Sequence, residues 1–216
     1  MEREHLLAVF HALLGAYGPQ GWWPGETPFE IMVGAVLTQN TSWNNVEKGL
    51  AALTARIPLT PEAILGLPQE RLTSCIRPVG YFNVKAQRLR AFCIGYRDAG
   101  ELEGLSPLET GELRRRLLAI HGVGPETADD MLLYAFARPV FVVDAYTRRI
   151  FSRLGELVGT DAYEGIRQSF ETALGPDASL YNEYHALIVR HGKNVCRTKP
   201  RCIECCLRSL CRVGSG

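Results

Sequence analysis

The chain is 216 residues long, enough for one domain or two small ones, and either could bury a real core. With 46% hydrophobic and 22% charged residues it has the make-up of an ordinary soluble globular protein, and no stretch is apolar for long enough to cross a membrane. A net charge of +1 removes any argument for a nucleic-acid partner from overall charge, so the placement of the charges has to carry it.

The opening MEREHLLAVFHALLGAYG reads as an amphipathic helix. Its acids, and the lack of a long apolar centre, set it apart from a secretory signal, so a cytosolic protein is expected, nucleoid-associated if bacterial. A reducing compartment argues against disulfides among the seven cysteines. Cys75 and Cys93 stand apart and fit buried small hydrophobes. GWWPGETPFE brings Trp22 and Trp23, then a capping box from Thr27 to Glu30 with Pro28 at the first helical position. Phe29, Met32, Val33, Val36 and Leu37 share one face of that helix. LTQNTSW adds Trp43. For at least one of the three tryptophans core packing is a fair plain reading. Pro58, Pro61, Pro68, Pro78, Gly80 and Gly104 punctuate the next stretch, and Leu89, Phe92, Cys93 and Tyr96 resume helical spacing. Basic residues gather in three places: Arg77, Lys85, Arg88 and Arg90; Arg114 to Arg116; and from Arg190 onward, where Glu204 is the one acid. Each group alone fits a solvated helix face.

Ile120 to Arg149 carries the most specific pattern. Gly122-Val123-Gly124 precedes Pro125, which starts a helix with Ala128, Met131, Leu132, Ala135 and Phe136 on one face. With the helix before it, this is helix, hairpin, helix. Such a turn aims backbone N–H groups at an anion and lets a DNA phosphate approach closely. Val140 to Val143 is a candidate short strand without a partner. Asp144 follows, with no histidine or second acid beside it in sequence; the plain reading is an N-cap. Near the C-terminus Cys196, Cys202, Cys205 and Cys211 give C-x5-C-x2-C-x5-C, a metal-binding pattern. Four thiolates so close suit a [4Fe–4S] cluster or a structural zinc, and the single short pair favours the cluster. Cys206 is a spare thiol that could substitute.

The hairpin from Leu118 to Ala128, Asp144 in VVDAYTRR, the helix ALIVRHG and the cysteine loop, in that order, resemble the endonuclease III family of helix–hairpin–helix DNA glycosylases. The resemblance runs from about Trp22 to Cys211. It implies an all-α fold of two helical domains flanking a DNA-binding cleft: a six-helix barrel at 27–138 carrying the hairpin, and an iron–sulfur domain from 1–26 and 139–216. It further implies a [4Fe–4S] cofactor on Cys196, Cys202, Cys205 and Cys211, although the first cysteine gap is one residue shorter than the family's six. The implied partner is double-stranded DNA with a damaged base, bound by a monomer, with no membrane.

By this resemblance Asp144 is the catalytic acid, stabilising an oxocarbenium-like sugar and orienting water. The lysine by which bifunctional members form a Schiff base is replaced by Glu126, so lyase chemistry is not expected. WWP, GPETAD and VVDAY together resemble the 3-methyladenine DNA glycosylase branch, with Trp22, Trp23, Trp43 and Glu126 at the base pocket. Aromatic faces favour a cationic alkylated purine. Gly122 and Gly124 would hold the backbone. Gln39 and Tyr81 would fill the gap left by the flipped base. Lys85, Arg148, Lys193, Arg197, Lys199 and Arg201 would meet phosphates. The expected function is a monofunctional glycosylase for alkylated purines. The alternatives are a glycosylase for oxidised pyrimidines or mismatched thymine, or a non-catalytic iron–sulfur DNA-binding protein.

Overall fold

A computed structural model describes residues 1–214; the last two residues of the expected second domain lie outside the described residues. The described chain is helical throughout and contains no strand. None of its helices is long and apolar enough to cross a membrane. The chain divides into two compact units, Pro24–Phe136, and Met1–Trp23 together with the chain from Ala137 onward.

The central unit holds α2 (Pro28–Leu37), α3 (Trp43–Thr54), α4 (Pro61–Gly66), α5 (Gln69–Cys75), α6 (Phe82–Asp98), α7 (Glu101–Leu105), α8 (Thr110–Leu118) and α9 (Pro125–Asp130). The capping box forms: Thr27 accepts from the Glu30 amide at 3.1 Å. The Glu30 carboxylate reaches back one residue further than a standard box, to the amide of Glu26 at 3.0 Å. Behind it Phe29, Phe92 and Tyr96 form an aromatic cluster with centroids 5.2 to 6.1 Å apart. Cys75 and Cys93 are buried, as their isolation predicts. After α9 the chain makes one wider turn, Met131–Ala135, in which Phe136 donates to the Met131 carbonyl. The extra residue breaks the 3.6-residue spacing, so Met131 and Leu132 are buried while Ala135 and Phe136 are only half-buried.

The terminal unit holds α1 (Arg3–Tyr17), α10 (Ala145–Leu154), α11 (Tyr163–Leu174) and α12 (Ala178–Asn194), followed by the cysteine loop. Its core is aromatic. Phe141 stacks on Phe170 with centroids 4.0 Å apart, and Phe151 meets the same ring edge-on at 4.8 Å. Such pairs add about 0.5–1.5 kcal/mol each beyond area burial. Val140 to Val143 is not a strand but a buried segment without regular secondary structure. Four apolar residues with no partner strand gain their stability by burial; the Phe141 amide is satisfied by the Glu171 carboxylate at 2.9 Å. The backbone of α12 runs close against α10: a Cβ on Gly192 would lie 2.5 Å from the Tyr146 ring.

Candidate functional site

Asp144 caps α10. Its Oδ1 accepts from the backbone amide of Thr147 at 2.7 Å and from the Thr147 hydroxyl at 2.9 Å. The N-cap reading of the sequence is therefore correct, and it coexists with a second arrangement that the sequence hid. The sequence has no histidine beside Asp144, but the fold supplies one: His185 of α12 places Nε2 3.7 Å from Asp144 Oδ2. Forty-one residues separate the two in the chain, and helix packing brings them together. Both are buried. Burial pushes the Asp144 carboxyl up, but His185 and the two Thr147 bonds outweigh it and hold it below its usual value. An anion at a helix N-terminus is favoured further by the backbone dipoles.

The hairpin is held from behind by Gln39. Its amide nitrogen donates to the Gly122 carbonyl and to the Thr127 hydroxyl, each at 3.0 Å. Its amide oxygen accepts from Arg88 in turn. The amide of Gln39, expected from the sequence to fill the gap left by a flipped base, is thus engaged within the central unit. The two glycines also differ. Gly122 has φ +87°, and a Cβ there would lie 2.3 Å from Arg88 Cγ, so glycine is required. Gly124 is extended with open space around it.

The expectation for Lys85 is corrected. Lys85 is only 2% exposed, and its ammonium donates to the carbonyls of Leu37 at 2.9 Å and Val79 at 2.8 Å. It joins the backbones of the loops that carry Gln39 and Tyr81 and presents nothing to a phosphate. Arg148 donates to the Asp161 carbonyl at 2.8 Å and is half-buried. The run from Arg114 to Arg116 is likewise internal in its charge balance: Arg114 grips the buried Asp129 at 2.6 and 3.1 Å, and both neighbours pair with Glu112.

Other expected residues lie wholly or partly at the surface. Tyr81 is 76% exposed, in the left-handed conformation just before α6. Glu126 is exposed in the first turn of α9. Trp22 and Trp23, half-buried with rings 5.4 Å apart, belong to the terminal unit. Trp43, also half-buried, belongs to the central one and donates to Glu47 at 2.9 Å. Lys193, Arg197, Lys199 and Arg201 are all exposed.

Cys196, Cys202, Cys205 and Cys211 line one cavity together with Arg153. Burial pushes the Cys205 thiol up to about 11, and neighbouring Cys206, Cys196 and Cys211 push it the same way. Thiols that oppose one another's ionisation need a cation among them to become thiolates together. Cys206 is not among the residues lining that cavity; its Sγ lies 4.0 Å from His191 Nδ1, and Cys205 Sγ lies 3.5 Å from Nε2 of the same ring. Arg153 donates to Cys196 Sγ at 3.2 Å and to the carbonyls of Arg197 and Thr198, and Arg149 donates to the carbonyls of Gly192 and Cys196. Among the described residues no three His, Cys, Asp or Glu side chains close around a single metal ion.

The sequence matches the family model of the HhH-GPD superfamily base excision DNA repair protein over residues 33–176. The chain belongs to this superfamily. It is similar to protein MJ1434 of Methanocaldococcus jannaschii, assigned as a DNA repair glycosylase, at 44% identity over 96% of both chains. It is 32% identical to endonuclease III of Haemophilus influenzae, covering 86% of this chain and 84% of that one. Among solved structures it resembles the H. pylori 3-methyladenine DNA glycosylase bound to 1,N6-ethenoadenine. That likeness has a TM-score of 0.72 and 30% identity, and covers 89% of this chain and 98% of the other.

For a glycosylase of this superfamily, the residues that sequence reasoning missed are instructive. His185 sits one helical turn and a half before His191 on α12, and nothing in its local pattern marks it for Asp144. Arg88 was one of a basic group, and its role as the partner of Gln39 needs the fold. A signal did exist for Arg114: it lies next to Leu113 and three residues before Leu117, the two residues that α8 buries.

Proposed function

We propose that this protein is a monofunctional DNA glycosylase that hydrolyses the N-glycosidic bond of alkylated purines, 3-methyladenine foremost, in double-stranded DNA. The observation that carries the reading is the combination of an anionic, buried Asp144 with a carboxylate, Glu126, where bifunctional relatives have lysine. Glu126 has no amine, so the imine route is closed. An alkylated purine carries positive charge and leaves without being protonated. The C1′–N bond breaks with its electron pair leaving on the base, which becomes neutral. A water oxygen then bonds C1′ and passes its proton to Asp144. The same carboxylate stabilises the sugar cation before water arrives. Trp22, Trp23, Trp43 and Glu126 supply aromatic faces and a negative charge, both of which favour a cationic base over a neutral one, by about 0.5–2 kcal/mol per good aromatic face.

The exposed Tyr81 fills the space left by the flipped base, and Lys193, Arg197, Lys199 and Arg201 meet phosphates. Gly122 and Gly124 bring the hairpin backbone to the DNA. The protein acts as a monomer. Cys196, Cys202, Cys205 and Cys211 hold a [4Fe–4S] cluster. All four line one cavity, and their C-x5-C-x2-C-x5-C spacing, with a single short pair, supports the cluster over zinc. The cluster supplies rigid closure of the basic loop.

A second reading, oxidised pyrimidines or mismatched thymine as substrate, is favoured by the similarity to endonuclease III. Base release decides between them. Methylated duplex DNA should yield free 3-methyladenine, with strand breaks appearing only after alkali. Release of oxidised pyrimidines instead would move the substrate to the second reading, and breaks trapped by borohydride would overturn the monofunctional assignment.

A further inference from the structure

The two oxygens of Asp144 have unequal surroundings. Oδ1 is taken by both donors of Thr147, at 2.7 and 2.9 Å. Oδ2 faces His185 Nε2 across 3.7 Å. At that separation a protonated imidazole is in charge–charge contact with the carboxylate. The imidazole is 6% exposed and cannot swing away easily. The backbones of α10 and α12 are locked close together by Gly192 against Tyr146 and by Arg149 donating to the Gly192 carbonyl at 2.9 Å. On α10 and α1, the helices packed on α12, these basic side chains act elsewhere: Arg148 on the Asp161 carbonyl, Arg149 on Gly192 and Cys196, Arg153 on Cys196, Arg197 and Thr198, Arg3 on the carbonyls of Ala173 and Leu174, and His5 on Glu156 at 3.6 Å.

We propose that His185 is the positioning residue for Asp144, steering Oδ2 and keeping the carboxylate anionic while Thr147 fixes Oδ1. The proposal rests on the reading of Asp144 as the catalytic acid. It gives the buried acid two separate supports, one inherited from its own helix and one brought by α12. The first anchors the group. The second sets its charge and aims the oxygen that stays open to the sugar. With Nε2 protonated, His185 favours the ionised carboxyl, which is the form that can stabilise a sugar cation and accept a proton from water.

The test compares His185→Leu and His185→Gln with wild type in single-turnover base release from methylated duplex DNA across pH. A carbon-13 titration of the Asp144 carboxyl is recorded on the same proteins without DNA. His185→Leu should lower the rate about ten-fold or more, with DNA affinity changed by no more than about two-fold, as expected for one lost charge-assisted contact. The acid limb of its rate profile and the Asp144 titration should both move to higher pH. His185→Gln, which keeps an N–H donor, should recover part of the rate. An unmoved titration overturns the proposal, and so does a rate loss that only follows lost thermal stability and DNA affinity. If the leucine variant does not fold, the glutamine variant and the titration carry the test. If wild type releases no more base than Asp144→Asn, the glycosylase reading itself falls, and the titration still reports on His185.

Discussion

The side-chain nitrogen of Gln39 donates to the Gly122 carbonyl across 3.0 Å, so the loop after α2 and the hairpin turn are one mechanical piece. Gln39→Ala leaves the Gly122 carbonyl and the Thr127 hydroxyl without this donor. Stability should fall by about 1–3 kcal/mol, measured by denaturant unfolding. Affinity for undamaged duplex DNA should fall with it, because the hairpin loses its support. Unchanged stability together with a lost preference for the partner base would restore Gln39 as a gap-filling side chain.

Gly122 and Gly124 should respond differently to the same change. Gly122→Ala forces a Cβ against Arg88 at a positive φ and should destabilise by roughly 1–3 kcal/mol while weakening DNA binding. Gly124→Ala meets open space at an ordinary φ and should be nearly neutral for stability. Thermal melts and salt-dependent DNA titrations on the pair check this, and equal losses would refute it.

Asp144→Asn should separate structure from chemistry. Asparagine caps a helix about as well as aspartate, so stability at neutral pH should change by about 1 kcal/mol or less. Base release should be abolished and DNA binding kept. The wild-type carboxyl is held below its usual value, so it contributes stability that is present above the unfolded value and lost as pH falls through the folded one. The wild type should therefore lose stability in acid faster than the asparagine variant.

Glu126→Lys places an amine in the first turn of α9. If the hairpin helix presents this position to the sugar, the variant should form a borohydride-trappable complex with DNA and cut strands without alkali. Wild type should do neither. Gel analysis of trapped complexes reads both outcomes, and a variant that never traps would argue against the alignment of Glu126 with the lyase position.

Lys85 offers a test in alkali. Burial, and then Arg88, lower its value to about 8. A lysine with a depressed folded value binds its proton less readily when folded, so its contribution to stability is present above the unfolded value and lost as pH falls through about 8. The stability of wild type relative to Lys85→Met should therefore rise between about pH 8 and 10. Lys85→Met itself should be destabilised throughout, since the carbonyls of Leu37 and Val79 lose their donor.

The helices were legible because their signals are local. Pro28, Pro125 and the Thr27 cap announce their own helices, and the apolar spacing of Phe92, Cys93 and Tyr96 names its buried face without reference to anything distant. The order of hairpin, acid and cysteines was legible for the same reason. What escaped was decided by long-range packing. Lys85 reads as a surface charge until two carbonyls from separate loops surround it. Gln39 looks like a loop side chain until Arg88 and Gly122 claim both ends of its amide. His185 and Asp144 meet because α12 lies on α10, and no pattern in either segment encodes that distance.

Tyr184 of α12 donates to the carbonyl of Leu6 in α1 at 2.7 Å, a contact spanning 178 residues. Helix α1 is thus made 178 residues before the tyrosine that docks on it. At about 5–20 residues per second that wait is on the order of ten to forty seconds. During it the central unit, contiguous in sequence, can complete its own core, whereas Leu6, Val9 and Leu13 have no core to enter. The order of synthesis therefore makes the hairpin-bearing unit the early product and the acid-bearing unit the late one. The interval in which the apolar face of α1 stands exposed is when this chain is most open to capture by a chaperone or by another copy of itself.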